Sequence, residues 1–416
     1  VCARYTTLVR ALLARGHNAA LLPLYTPLTV DGESVAMDRV LLGGINTYLQ
    51  HRLPRLARLK PLWLNRVLDR PGLLSAVARF GIDTDPARLG AMTVSVLQGM
   101  EGPQRSEILR FLECVAELGP LPDVFVLSNA MLSSLALPLR ERFGRPVLCM
   151  FEGEEDFLDR LGARYTPQAY RLIAVHLESV AATCAPSAAY AADVSRRYSI
   201  PSDRMHVVPP AVLPEEFPSL PAPPPDPFTC VFLAKPTAEK GIDLALEGFL
   251  VAASELGDRA RTRLLVSAEG SRRTRRALEE RIRGIRRRLP AGHELHYDPA
   301  PDLDAKQRLL TQAHALICPS RIPERRGMVC LEAMCSGVPV LVTRRGILPE
   351  LVASTGGGQV LSENADPAEI GSCLSEWALS PRLLEERRLQ AAAGVRRSFS
   401  PDRVCKAYLK VVDSVT

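Results

Sequence analysis

Short β-branched or apolar runs alternate with longer helical patterns along most of the chain, and this alternation constrains the fold more than any other feature of the sequence. Strands that are each followed by a helix pair in parallel, and parallel sheets are covered by helices. In the first half Leu8, Val9, Leu12 and Leu13 recur at helical spacing and stop at Gly16, and Ala19 to Leu24 then reads as a strand. Val124 to Leu127 is expected as a strand, Met131 to Arg142 as a helix ending near Gly144, and Val147 to Phe151 and Met205 to Val208 as further strands. The second half repeats the pattern more regularly. It has strands at Cys230 to Ala234, Leu264 to Ser267, Ala315 to Cys318 and Pro339 to Val342, and helices beginning near Gly241, at Thr274 and at Met328. Both halves carry a strand running into Pro-Ser, at Cys184 to Ser187 and Ile317 to Ser320.

With 416 residues the chain exceeds the roughly 250 that one core usually serves, so two domains are expected. The break is set by proline. Pro209-Pro210, Pro214, Pro218 and the run Pro221 to Pro227 can continue neither a ladder nor a helix. The first domain is read as 1–212, the linker as 213–228, and the second domain as starting at 229. The first helix begins almost at Val1, so the strand that normally opens such a sheet, with about 10 to 25 residues, is expected to be missing.

A net charge of +6 and 47% hydrophobic residues exclude disorder as the main state. No stretch approaches the roughly 18 uninterrupted apolar residues of a membrane span, so the chain is read as cytoplasmic, with peripheral contact at the inner face of a membrane as an option. Ten cysteines lack any Cys-x-x-Cys pair and several lie in strand-like runs, which suits reduced core thiols. No metal is expected, since the seven histidines show no ligand spacing. Nine arginines fall between Arg272 and Arg288, but Leu278, Ile282, Ile285 and Leu289 recur at helical spacing among them. That pattern is read as a helix with one buried face and a solvated basic face rather than a nucleic-acid stripe, with attraction to anionic lipid or polysaccharide the next reading.

The chemistry concentrates in Pro319 to Val342. A strand end leads to a polar loop holding Glu324, a helix opens at Gly327, and Glu332 lies about a turn inside it. Such a helix points unpaired N–H groups beyond the strand ends, where phosphate binds well. Glu332 stands where a carboxylate can accept both hydroxyls of a ribose; a solvated glutamate on an ordinary helix is the other reading. Lys235 and Lys240 bracket a loop at the same sheet edge and supply charge for a diphosphate, unless they are merely solvated.

Glu324, seven residues, Glu332 and then Gly337-Val338-Pro339-Val340 resemble the signature of family-4 retaining glycosyltransferases (glycosyl transferases group 1) of the GT-B fold, and Lys235 with Glu239-Lys240-Gly241 resembles the family's Arg/Lys and Glu-Lys-Gly. Arg15-Gly16-His17 and Pro23 to Pro27 are similar to its first helix and second strand. The resemblance implies two Rossmann-like domains facing a cleft, the second covering 229–395, and a terminal helix within 396–416 packing back on the first. It implies that Lys235 and Lys240 neutralise the donor diphosphate, that the N–H groups of Gly327, Met328 and Val329 hold the distal phosphate, and that Glu332 binds the ribose. Glu324 would contact the donor sugar near the reacting centre. The donor would be a nucleotide diphosphate sugar; the acceptor a saccharide, a lipid-linked molecule or a small molecule; and neither cofactor nor nucleic acid is implied.

The sequence departs from the family where relatives carry a histidine near the sugar. Phe151 to Asp156 has none, and Glu152 or Glu155 is expected to supply a similar hydrogen bond, which makes Glu155 a second catalytic candidate unless the acidic run is only a solvated loop. The glycine loop before the first helix is absent, and Gly43-Gly44 is a poor substitute. The alternative activities are a GT-B sugar phosphorylase and a non-catalytic protein that binds nucleotide sugar or RNA.

Overall fold

The structure is a computed structural model that describes residues 2–24, 86–217, 226–299 and 303–416. Gly43-Gly44, most of Pro23 to Pro27 and the proline run 218–225 lie outside the described residues. The chain separates into two compact units, one of residues 1–209 with 405–416 and one of residues 210–404.

Unit 1 holds a four-stranded parallel sheet in the order β1 (Phe125–Leu127), β2 (Val147–Met150), β3 (Ala182–Ala185) and β4 (Met205–Val207). Strands β2 and β3 are buried at every residue, as a parallel strand covered on both faces must be. The run 19–24 is not a strand: it is irregular apart from a single bridge residue at Leu21. The expected helix from Met131 is split into a 3-10 segment, Ala130–Leu135, and an α-helix, Ala136–Phe143, closed by Gly144 in the left-handed conformation. The terminal helix Pro401–Asp413 crosses from unit 2 into unit 1 at Cys405, with Val404, Cys405, Tyr408 and Val411 buried along one side.

Unit 2 carries a six-stranded parallel sheet in the order β10-β9-β8-β5-β6-β7, where β5 is Phe228–Leu233, β6 Thr262–Ser267, β7 Glu294–Asp298, β8 Ala315–Cys318, β9 Val340–Val342 and β10 Gly358–Val360. Strand β5 shows why its residues are so apolar. Phe228, Cys230 and Phe232 pack with the helices Ile242–Leu256, Arg272–Arg286 and Pro367–Leu379. Val231 and Leu233 point the other way, into a layer formed by the helices Met328–Cys335, Leu348–Thr355 and Pro381–Phe399. That second layer also takes in Val212 and Phe217, so residues just before the proline run are packed into unit 2. The described cysteines from Cys114 to Cys405 are buried. Among the described residues, no helix is long and apolar enough to cross a membrane.

Candidate functional site

From β5 the chain builds outward through β6 to β7, and from β8 it builds the other way through β9 to β10, with β5 and β8 side by side. The loops that leave these two strands therefore diverge, and the crevice at such a crossover is where parallel α/β sheets take ligands. The loops are Ala234 to Gly241 after β5 and Pro319 to Gly327 after β8.

The two loops are locked together. Lys240 Nζ lies 2.6 Å from Glu324 Oε1, with side chains 27% and 17% exposed. Arg321 reaches across to Asp243 with two bonds of 2.6 and 2.5 Å, and its backbone N–H donates to the Glu239 carbonyl at 2.8 Å. The charge and bonds of Arg321 hold the Asp243 carboxyl below its ordinary range against the opposing effect of burial, which is the largest single influence on it. Gly241 sits at φ +74°, and a Cβ there would lie 2.8 Å from the Pro319 carbonyl carbon and closer still to its oxygen. Only glycine allows this approach. The loop after β9 completes the edge, with Thr343 Oγ1 donating to the Ser320 carbonyl at 2.6 Å and the Ile347 N–H donating to the Glu324 carbonyl at 2.9 Å.

The helix Met328–Cys335 opens at Gly327 with no side-chain cap. Cys330 and Leu331 donate back to the Gly327 carbonyl, at 3.0 and 3.1 Å. Met328 and Val329 have no such bond, so their N–H groups remain available at the positive end of the helix. Glu332 is not a solvated glutamate: its side chain is 14% exposed and its Oε2 lies 2.8 Å from Lys306 Nζ. Burial pushes its carboxyl above the ordinary carboxylate range, and Lys306 opposes that shift. Lys306 also stands over the Phe217 ring, 5.8 Å from its centroid.

Five of the expected donor residues, Lys240, Gly327, Met328, Val329 and Glu332, gather with Glu324 on the loop and helix start of this edge. Lys235 belongs to the same edge but is exposed and makes no side-chain bond among the described residues. Sequence reasoning missed Lys306, Asp243, Arg321 and Phe217. Lys306 lies within an amphipathic helix, Leu303–Gln312, and nothing in its spacing marks it as a partner for a glutamate 26 residues on. The end of β6 carries one further clue, since Ser267 is 1% exposed and its hydroxyl has no hydrogen-bond partner among the described residues. Among the described residues, no three His, Cys, Asp or Glu side chains converge as metal ligands.

Glu155 lies elsewhere, in unit 1 after β2, and is 0% exposed. Its Oε1 accepts from Tyr198 at 3.1 Å and its Oε2 from Tyr190. These bonds hold both oxygens of the carboxylate within the unit 1 core. The run is not a solvated loop. Glu152 is ion-paired with Arg4 and accepts from the Tyr5 hydroxyl at 3.0 Å, while Glu154 accepts the N–H groups of Ala130 and Glu152 at 2.6 and 2.7 Å.

Burial, reinforced by the charge of Glu155, pushes the Glu154 carboxyl from 4.5 up to about 8. A carboxyl with a raised pKa holds its proton in the folded state, so the folded state is favoured at low pH and loses that advantage as pH rises from about 4.5 through about 8. The melting temperature of unit 1 is expected to fall across this window, by about 2–4 °C for each kcal/mol. Glu154→Gln should flatten the slope. A wild-type melting temperature that holds steady or rises over the same interval contradicts the assignment.

Residues 227–378 match the model of the glycosyl transferases group 1 family. No curated protein sequence matches the chain. Among solved structures, Anabaena Alr3699/HepE in complex with UDP aligns with a TM-score of 0.60 at 14% identity, over 76% of this chain and 84% of that one. The sucrose-phosphate synthase (tll1590) of Thermosynechococcus elongatus aligns with a TM-score of 0.59 at 15% identity, over 75% and 78%. The α,α-trehalose 6-phosphate synthase of Burkholderia multivorans aligns with a TM-score of 0.55 at 14% identity, over 80% and 84%. At such identities the likeness establishes the fold, which is of the GT-B kind with two parallel sheets.

Proposed function

We propose that this chain, whose residues 227–378 match the glycosyl transferases group 1 model, moves a hexose from a nucleoside diphosphate sugar to an acceptor hydroxyl with retention of configuration. The observation that carries the proposal is the meeting of Lys240 and Glu324 beside an uncapped helix N-terminus at the crossover of β5 and β8. Lys235, Lys240 and the N–H groups of Gly327, Met328 and Val329 take the diphosphate, whose charge grows as the bond to the sugar breaks. Glu332 accepts from the ribose hydroxyls, and Glu324 orients the sugar. Catalysis is then stabilisation of the leaving diphosphate together with positioning, with no cofactor. The acceptor is a saccharide, a lipid-linked molecule or a small molecule. Because Alr3699/HepE was solved with UDP, uridine diphosphate and its sugars are the first ligands to test, beside the guanosine and adenosine series.

A ligand at 100 times its dissociation constant stabilises its host by about 2.7 kcal/mol, so a thermal-shift panel identifies the base. Glu332→Ala tests the site. Charge-assisted hydrogen bonds contribute about 1.5 to 3 kcal/mol, so affinity for the preferred nucleotide is expected to fall about ten- to a hundredfold. Unchanged affinity by calorimetry would remove Glu332 from the ribose.

A further inference from the structure

The helix Arg272–Arg286 covers the β6 and β7 side of the unit 2 sheet and carries seven arginines, with Arg287 and Arg288 continuing from its end. Leu278, Ile282 and Ile285 are its buried side. At 100° per residue the arginines divide by neighbour. On one flank Arg288 pairs with Glu247 of the adjacent helix at 3.1 Å, and Arg281 adds its charge near Asp243. On the other flank Arg286 donates to the Leu295 carbonyl of β7 at 2.9 Å. The side opposite the buried residues is different: Arg272, Arg273, Arg276, Arg283 and Arg287 fall within an arc of about 100°, and all five are exposed. None of the five forms an ion pair among the described residues, although Glu279 and Glu280 stand on the same helix. Arg283 donates to the Glu279 carbonyl of its own helix, at 3.4 Å.

We propose that this face is a docking surface for an anionic lipid bilayer, held by headgroup phosphates. Charge complementarity and shape both point that way. Guanidinium groups bind phosphate oxygens in pairs, and a row of them along a straight helix of about 22 Å meets a plane of phosphates all at once. The face is convex and one helix wide, so it offers no groove for a polyanionic chain. It holds no aromatic side chain on which bases stack, which disfavours single-stranded nucleic acid. It is also free of large apolar side chains, so the chain adsorbs by charge without insertion and is released by salt. The proposal does not depend on the function proposed for the nucleotide site.

The test is sedimentation of the full chain with vesicles of phosphatidylcholine alone or with 30% phosphatidylglycerol, and competition by double-stranded RNA. The chain is expected to bind only the anionic vesicles and to be released in 0.5 M salt. Each arginine near such a surface contributes about fivefold, so changing all five to glutamine should lower the partition coefficient at least about a hundredfold, with the melting temperature held within a few degrees. A single Arg276→Glu change should give a smaller loss in the same direction and serves if the fivefold variant does not fold. Equal binding to neutral vesicles, undiminished binding by the variants, or displacement by RNA at a lower concentration than by competing anionic vesicles would each overturn the proposal.

Discussion

Gly346→Ala is expected to lower the melting temperature of unit 2 by roughly 4–20 °C and to abolish sugar transfer, although Gly346 itself touches no substrate in the proposed site. The residue sits at φ +57°, and a Cβ there would lie 2.6 Å from the Glu324 nitrogen and closer still to the Glu324 carbonyl oxygen. Two costs add. A left-handed alanine is unfavourable by about 1–2 kcal/mol, and forcing atoms into a filled space costs about 1–3 kcal/mol more. At about 2–4 °C per kcal/mol for a unit of this size, the sum gives the stated range. Relief is blocked because the atoms in the way are backbone, held by the Ile347 N–H bond to Glu324 at 2.9 Å. If the loop yields instead of unfolding, it carries Glu324 away from Lys240, and activity is lost with less change in stability. Gly284 provides the control, since nothing lies within 4 Å of a Cβ placed there; Gly284→Ala should be neutral or slightly stabilising, by about 0.5–1 kcal/mol. A Gly346→Ala protein as stable and active as the parent would show that this loop does not fix Glu324.

The four central strands of unit 2 were legible because β5, β6, β8 and β9 are almost wholly buried, whereas the edge strands β7 and β10, partly exposed, carry no continuous apolar run and were not marked. The expected strand Ala315 to Cys318 and helix Met328 to Cys335 coincide with the observed elements, since continuous apolar runs bounded by Pro319 and Gly337 leave few alternatives. The placing of Lys240, Glu324, Gly327 and Glu332 at one sheet edge was legible too, because strand ends and helix starts are where spacing is informative. What spacing could not show was which charges meet. Lys240 and Glu324 were given separate roles, yet they form one pair of 2.6 Å. Lys306 went unnoticed beside Glu332 because its position depends on how the helix Leu303–Gln312 leans on the sheet. The burial of Glu155 was illegible for the opposite reason. An acidic run in sequence looks like solvated charge, and only tertiary structure reveals that Tyr190 and Tyr198 enclose it.

The Lys240 and Glu324 pair leads to an expectation with two signs. In the structure without ligand each group satisfies the other, so a diphosphate must draw Lys240 away from Glu324 before it gains the full charge of the lysine. Glu324→Gln removes the competitor. Nucleoside diphosphate is then expected to bind several-fold more tightly, because a partly exposed pair of this kind is worth about 0.2–1 kcal/mol. Turnover should nevertheless fall by about 100- to 1,000-fold, since a group that acts in the transition state is lost while ground-state binding improves. Lys240→Met should act in reverse on binding. It keeps most of the apolar stem but removes one charge-assisted contact of about 1.5–3 kcal/mol, so diphosphate affinity drops about ten- to a hundredfold while affinity for the bare nucleoside holds. In the double variant the two binding effects should not add, because each single change already breaks the same pair. Calorimetry with nucleoside and diphosphate, beside single-turnover kinetics, reads all these quantities. Equal losses of nucleoside and diphosphate affinity in Lys240→Met, or a Glu324→Gln protein that turns over normally, would mean that the pair only ties the loops of β5 and β8 together.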